Sequence, residues 1–324
     1  MDQPIAQPAQ AVRELAGLLD GPHVVAVGGG HGLACVLKAA LRYASRVDAV
    51  VTVADDGGSS GRLAPHLDIP PPGDIRQCLV ALTPDGSPWK DVFEYRFEDA
   101  DVAGHSLGNL ILAGLADIEG SFEGALMRAE RILHTSGSVI PASDLHLELE
   151  IESEGRTITG QVEVSLHHGR VDSIRVSPSS CVANERAVEA IMAADQIILG
   201  PGSLMTSTIA AMCVPGITEA INRSDARLVY VANIVTQDGE TLGLDGVDHL
   251  ETLLRLTGVR PPHTIVANST RVDVVPPLEA VDFDRELAAT YGADLLVADL
   301  VDEMAARPSH DSGKLGAALS TTHA

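Results

Sequence analysis

Three glycine-rich stretches, each placed directly after a run of apolar, largely β-branched residues, hold most of the chemistry this sequence offers. Gly28, Gly29, Gly30, His31 and Gly32 follow the run His23 to Val27. Glycine there permits positive φ and close backbone approach, and the free N–H groups of the helix that follows can donate to a phosphate. The spacing is Gly-x-Gly-x-Gly, with Leu33 where the third glycine of the dinucleotide fingerprint would stand, so it reads as a general anion loop. Asp55, Asp56, Gly57, Gly58, Ser59, Ser60 and Gly61 follow Val47 to Val53. Either acid stands where a carboxylate receives ribose hydroxyls, and the glycines and serines form a second nest of donors. A carboxylate in that place can also hold a divalent ion or orient an attacking hydroxyl. Gly200, Pro201, Gly202 and Ser203 follow the strand Gln196 to Leu199, with Thr206 and Thr208 on the first turns of the next helix. One such loop is explained as well by a tight turn; three converge on a phosphate-bearing ligand. Asn233 and Thr236, after the strand ending at Val231, either bond a base or sugar or only form a turn.

Other candidates are weaker. Gly104-His105-Ser106-Leu107-Gly108 satisfies the nucleophile-elbow pattern of serine hydrolases, but the preceding Phe97 to Ala103 is too acidic and irregular to be the buried strand that an elbow needs. His105, Ser106 and Asn109 fit better as ligand contacts at a helix N-terminus, and no catalytic residue is assigned. After Pro70-Pro71-Pro72-Gly73, Asp74 is the expected N-cap of a helix over Ile75 to Leu82. His167 and His168 sit in an expected hairpin turn with no acidic or cysteine partner at metal spacing, and no metal site is predicted. At His310-Asp311, Asp311 or Ser312 is the natural cap of a helix from Gly313 to Leu319.

The elements that must position these loops alternate. Strands at 23–27, 47–53, 196–199, 228–231, 264–267 and 295–298 are separated by helical stretches, which is the pattern of a doubly wound, mostly parallel Rossmann-like α/β sheet. In such sheets a ligand binds beyond the strand carboxyl ends where the strand order reverses. Leu145 to Ile151, Thr157 to Val164 and Val171 to Val176 instead alternate apolar and polar residues, so a small antiparallel β insertion is expected at about 143–177. Residues 1–20 read as a polar tail with a short helix near Val12 to Leu19, and 21–324 as one α/β domain.

With 324 residues, 45% of them hydrophobic, the chain can bury a substantial core. Its net charge of -23, without a basic stripe and interleaved aromatics, disfavours nucleic acid as a partner. Small anions remain compatible, because a helix N-terminus supplies local positive potential worth about 0.3 to 1 kcal/mol. The start lacks the basic and apolar pattern of a secretory signal, and no apolar run is long enough to span a bilayer, so a cytoplasmic protein with no membrane span is expected. Cys35, Cys78, Cys181 and Cys213 are spaced as free thiols. Domains of this class and size often form homodimers.

Val-Gly-Gly-Gly-His-Gly-Leu at 27–33, Thr-Val-Ala-Asp-Asp-Gly-Gly-Ser-Ser-Gly-Arg at 52–62, Pro-Pro-Gly-Asp-Ile-Arg at 71–76, Gly-His-Ser-Leu-Gly-Asn at 104–109 and Leu-Gly-Pro-Gly-Ser-Leu at 199–204 occur in one order. Together they resemble the bacterial gluconeogenesis-factor family, YvcK, within the larger CofD-like group, over nearly the whole chain after the tail. The resemblance implies a CofD-like fold and a cytoplasmic, regulatory protein that binds UDP-N-acetylglucosamine, acts through a protein partner, and supports cell shape and growth on gluconeogenic carbon. The sister branch transfers a phospholactyl group from a guanylyl-activated donor, with magnesium, and is the alternative reading. Carried over by motif, Asp55, Asp56, Gly73, Asp74, Asn109, Gly202 and Ser203 would face the shared cleft. The chain departs from the family pattern at His31, where threonine is usual, and at Ser309, where an arginine precedes the His-Asp pair.

Overall fold

A computed structural model describes residues 20–67, 69–99 and 101–323, so the expected N-terminal helix lies outside the described residues. Seven strands, β1 (His23–Gly28), β2 (Arg46–Val51), β3 (Ser138–Pro141), β7 (Gln196–Leu199), β8 (Arg227–Val231), β9 (Thr264–Asn268) and β10 (Asp294–Ala298), form one parallel sheet. Their order is β10-β9-β8-β7-β1-β2-β3. The central strands have no exposed face: all six residues of β1 and all four of β7 are buried. That burial is why they read as continuous apolar runs rather than as alternating ones. The chain passes from β1 to β2 on one side and from β7 to β8 on the other. Right-handed crossovers then send the intervening helices to opposite faces. Helices Gly30–Ala40, Pro72–Leu82 and Ser312–Leu319 pack together on one face, and Glu185–Ala193 and Ile217–Arg223 on the other.

The edge strand β3 has no counterpart in the sequence reading. Only four residues long and ending in a proline, it is too short to show a period. Its pairing with β2 is nonetheless regular, from Asp48 opposite Ser138 to Val51 opposite Pro141.

The antiparallel insertion is present as β4 (Glu148–Ser153), β5 (Arg156–Thr159) and β6 (Ser173–Ser177), in the order β5-β4-β6. The expected strand from Thr157 to Val164 is corrected at its second half. Gly160 turns the chain at φ 100°, and Gln161–Ser165 is a helical turn. Asp56 causes the switch: its two carboxylate oxygens accept the backbone N–H groups of Gln161 at 2.9 Å and Val162 at 3.0 Å. Those donors would otherwise be orphans at a helix start. At the other end of the turn, Gly239 runs so close to the Ser165 carbonyl that a β-carbon would overlap it, and His168 pairs with Asp238 at 2.7 Å. The turn is therefore a strap tied to a loop from each half of the sheet. Asp56→Ala is expected to cost about 1 kcal/mol, as for lost helix caps, and to raise amide exchange selectively over residues 160–165, measured by hydrogen–deuterium exchange. Unchanged exchange there would contradict the capping role.

Asp74 is the second correction. The helix begins earlier, at Pro72 with Pro71 as its cap residue, so Asp74 lies inside the first turn and its side chain is free for the cleft. Proline tolerates that position because its missing N–H is one that a helix start leaves unused. Among the described residues no single helix is long and apolar enough to cross a membrane; the pair Leu204–Met212 and Ile217–Arg223 that approaches this by composition is bent by 72°.

Candidate functional site

β1 lies between β7 and β2, and Val27, its next-to-last residue, pairs with both Leu199, the last residue of β7, and Val50, one before the end of β2. The first and third glycine loops thus leave adjacent strands at the same height, where the strand order reverses. They touch backbone to backbone. A β-carbon on Gly32 would fall inside the Pro201 carbonyl, which is the physical reason for glycine at 32. Gly30 has φ 64°, a left-handed conformation that starts the helix Gly30–Ala40 directly from the strand. The amides of His31 and Gly32 fall in its first turn, where no intrahelical acceptor exists.

Between the loops lies a polar cleft of about 270 Å³. Of the residues expected at the site, Gly29, Gly30, His31, Gly32, Asp55, Asp74, Gly202, Ser203 and Thr206 line it. Gly28 ends β1, Gly200 directly follows β7, and Thr208 is buried behind the third loop. Asn233 acts on the loop rather than on the cleft: it accepts the Gly202 N–H at 3.0 Å and donates to the Gly202 carbonyl at 2.9 Å. Thr236 is buried and latches a turn, its hydroxyl accepting the Glu279 N–H at 2.9 Å.

The second loop is mostly scaffold. Asp55 accepts the Gly57 N–H at 3.0 Å, and Ser60 accepts the Gly73 N–H at 3.0 Å. A β-carbon on Gly73 would sit 2.8 Å from an Asp55 oxygen, so glycine there lets the carboxylate approach. Gly58, at φ 48°, opens the helix Gly58–Leu67. Ser59 is buried in a chain of side chains: Arg76 donates to Asn109 at 3.1 Å, Asn109 donates to Ser59 at 3.0 Å, and Ser59 meets the Nδ1 of His105 at 2.9 Å. Burial lowers the pKa of His105, with Arg62 and Arg96 adding to that, which disfavours the charged ring beside Ser59. Ser106 is fully buried and caps the helix Leu107–Glu119 by accepting the Asn109 N–H at 3.2 Å. Ser106 and its neighbours are therefore not brought to the cleft as ligand contacts, and a fully buried capping hydroxyl cannot serve as a hydrolase nucleophile.

Four cleft residues went unseen in the sequence: Gln77, Gln161, Ser207 and Gln237. Gln77 had a signal, because it stands three residues after Asp74 on one helix and so shares its face. Gln161 had none, since the strap brings it there. Gln237 donates to Ser203 at 3.2 Å, while its carbonyl oxygen and that of Gln77 are buried with no partner among the described residues. Glu240 also escaped notice; it accepts the Met205 N–H at 2.9 Å and the Thr206 hydroxyl, and so holds the first turn of the π-helical stretch Leu204–Ile209.

The electrostatics turn on two carboxylates. Burial, with the nearby Asp55 second, pushes Asp74 up to about 7, although the Gly30 N–H and Arg76 favour its charge. Burial likewise raises Asp55, against hydrogen bonds from Gly57 and Ser60. The Asp55 charge thus adds to the burial that favours a proton on Asp74, and a cation bound beside them would relieve the same repulsion. Among the described residues no cluster of three or more metal-ligating side chains is found. Two carboxylates are nonetheless what magnesium commonly takes from a protein when phosphates and water complete its shell.

Residues 24–301 match the family model described as 2-phospho-L-lactate transferase CofD. The chain is 36% identical to the gluconeogenesis factor of Bacillus subtilis, over 92% of this chain and 97% of that one. To the gluconeogenesis factor of Halalkalibacterium halodurans it is 43% identical, over 73% and 74% of the two chains. This chain belongs to the gluconeogenesis-factor branch of the CofD-like family. The crystal structure of a UPF0052 family member from Bacillus halodurans superimposes with a TM-score of 0.87 at 37% identity, covering 91% of this chain and 98% of that one. Of the two departures from the family pattern, His31 is exposed at the cleft rim. Ser309 is exposed and outside the cleft lining, and beyond it Asp311 caps the helix Ser312–Leu319 by accepting the Gly313 and Lys314 N–H groups, each at 2.7 Å.

Proposed function

We propose that this protein is a cytoplasmic regulator that binds a nucleotide sugar, UDP-N-acetylglucosamine, in the switch-point cleft and acts through a protein partner on carbon and cell-wall metabolism and cell shape. The carrying observation is the meeting of two glycine loops at one level. Helix-start amides of His31 and Gly32 can receive the diphosphate there, beside the amide side chains of Gln77, Gln161 and Gln237. Neutral donors and acceptors of this kind suit hydroxyls and an N-acetyl group. A cleft of about 270 Å³ is near the small end of ligand pockets, roughly 300–1,000 Å³. It takes the diphosphate and one ring, with the rest of the ligand extending over the rim. Asp55 and Asp74 would hold magnesium beside the phosphates; bound there, the ion neutralises the charge that the carboxylates and the diphosphate would otherwise set against each other.

The same pair of carboxylates favours a second reading, a magnesium-dependent transferase like the one that the matched family model describes. Asp55→Asn separates the two when binding is read by calorimetry and ligand breakdown by chromatography. On the regulatory reading the wild type returns the nucleotide sugar intact, and Asp55→Asn changes affinity alone. A product peak from the wild type that disappears in Asp55→Asn would establish the transferase instead.

A further inference from the structure

A second cavity, of about 420 Å³, lies on the far side of the third loop. Val171, Met205, Leu242 and Leu244 give it apolar walls, and Arg170 and Arg255 bring positive charge to it. That is unexpected in a chain with 45 acidic residues against 22 basic ones. Arg255, from the helix Gly246–Thr257, is fixed in place by donating to the carbonyls of Val171 at 3.0 Å and Asp172 at 3.3 Å. These bonds orient the guanidinium without neutralising it. Arg170 stands at the mouth, its side chain 79% exposed and its nearest carboxylate, Asp172, at 3.9 Å. One acid, Glu240, also lines the cavity, its carboxylate taken up by the Met205 N–H and the Thr206 hydroxyl; outside the lining, Glu251 accepts the Tyr291 hydroxyl at 2.6 Å and Asp248 the Asp245 N–H at 3.0 Å.

We propose that this cavity is a second small-molecule site, taking a ligand with an apolar body and one anionic group, a carboxylate, sulfonate or phosphate. Burial of the body against the aliphatic walls supplies affinity, and the two arginines select the charge. The site shares a wall with the cleft. Met205 faces the second cavity while the next residue, Thr206, faces the cleft, and Glu240 binds both. An occupant therefore bears on the same helical turn that the cleft presents to its own ligand.

The test uses 8-anilinonaphthalene-1-sulfonate, an aromatic sulfonate, followed by fluorescence and calorimetry on the folded full chain. Saturable binding at a single site is expected, not displaced by UDP-N-acetylglucosamine. Leu244→Arg, which fills the cavity, should abolish it, and Arg170→Glu should weaken it about tenfold by charge reversal at the mouth. Val182→Arg, at an apolar residue that is 68% exposed elsewhere, should leave it unchanged. If Leu244→Arg does not fold, Arg170→Glu decides, since its side chain is largely in solvent. Probe binding that is absent, or that survives both cavity variants, overturns the proposal. Displacement of the probe by the nucleotide sugar also overturns it, by making the cavity an extension of the cleft. Because the probe is read alone, its failure is distinct from a failure of the cleft to bind nucleotide.

Discussion

Gly32→Ala should abolish ligand binding and lower stability by about 1–3 kcal/mol, as an overpacked core contact does. The added methyl group meets the Pro201 carbonyl, a backbone atom that no rotamer change can move aside. The two loops must then separate, and with them the donors at His31 and Gly32 from Ser203 and Thr206. Asn233 holds Gly202 at both its N–H and its carbonyl, so the third loop has little freedom to retreat. A denaturant melt together with a ligand titration checks both effects. An alanine variant with wild-type midpoint and affinity would show that the loops are not in contact.

The second large effect is on pH. Asp74 titrates near 7 in the folded protein, driven mainly by burial, whereas an unfolded aspartate titrates near 4. From about pH 4 to about pH 7 the folded state therefore keeps a proton that the unfolded state has lost. Stability falls as pH rises through that window and levels off above it, by on the order of 4 kcal/mol at most. Asp74→Asn removes the ionisation while keeping an acceptor for the Gly30 N–H. It should match the wild type at pH 5 and exceed it by about 3 kcal/mol at pH 8. Magnesium at pH 8 should restore part of the difference to the wild type and nothing to Asp74→Asn. Denaturant midpoints across pH, with and without the ion, read all three results. A wild-type midpoint that is flat between pH 5 and pH 8 would mean that Asp74 is ionised throughout.

These two residues also mark how far the sequence could be read. Gly32 lay in a loop recognisable from its glycines and the strand before it, because strand, tight turn and helix start are contiguous and leave a local pattern. The buried runs of β1, β2 and β7 were legible for the same reason. Asp74 was visible as a residue but not as a cleft carboxylate, since the helix starts at Pro72 and not, as the capping rule places it, at Ile75. The roles of Asp56 and Glu240 depend on partners more than thirty residues away, at Gln161 and at Met205, and no local period reports such pairings. The edge strand Ser138–Pro141 and the strap Gln161–Ser165 were missed because tertiary pairing and a remote carboxylate, not their own composition, fix their conformation.

Selection of a nucleotide sugar by the switch-point cleft is read by isothermal titration of the purified chain with UDP-N-acetylglucosamine, against UDP-glucose, GDP and NAD, with and without magnesium. Preferential binding of UDP-N-acetylglucosamine is expected, strengthened by magnesium and lost in Gly32→Ala. Preference for GDP, or equal binding of all four, would contradict it.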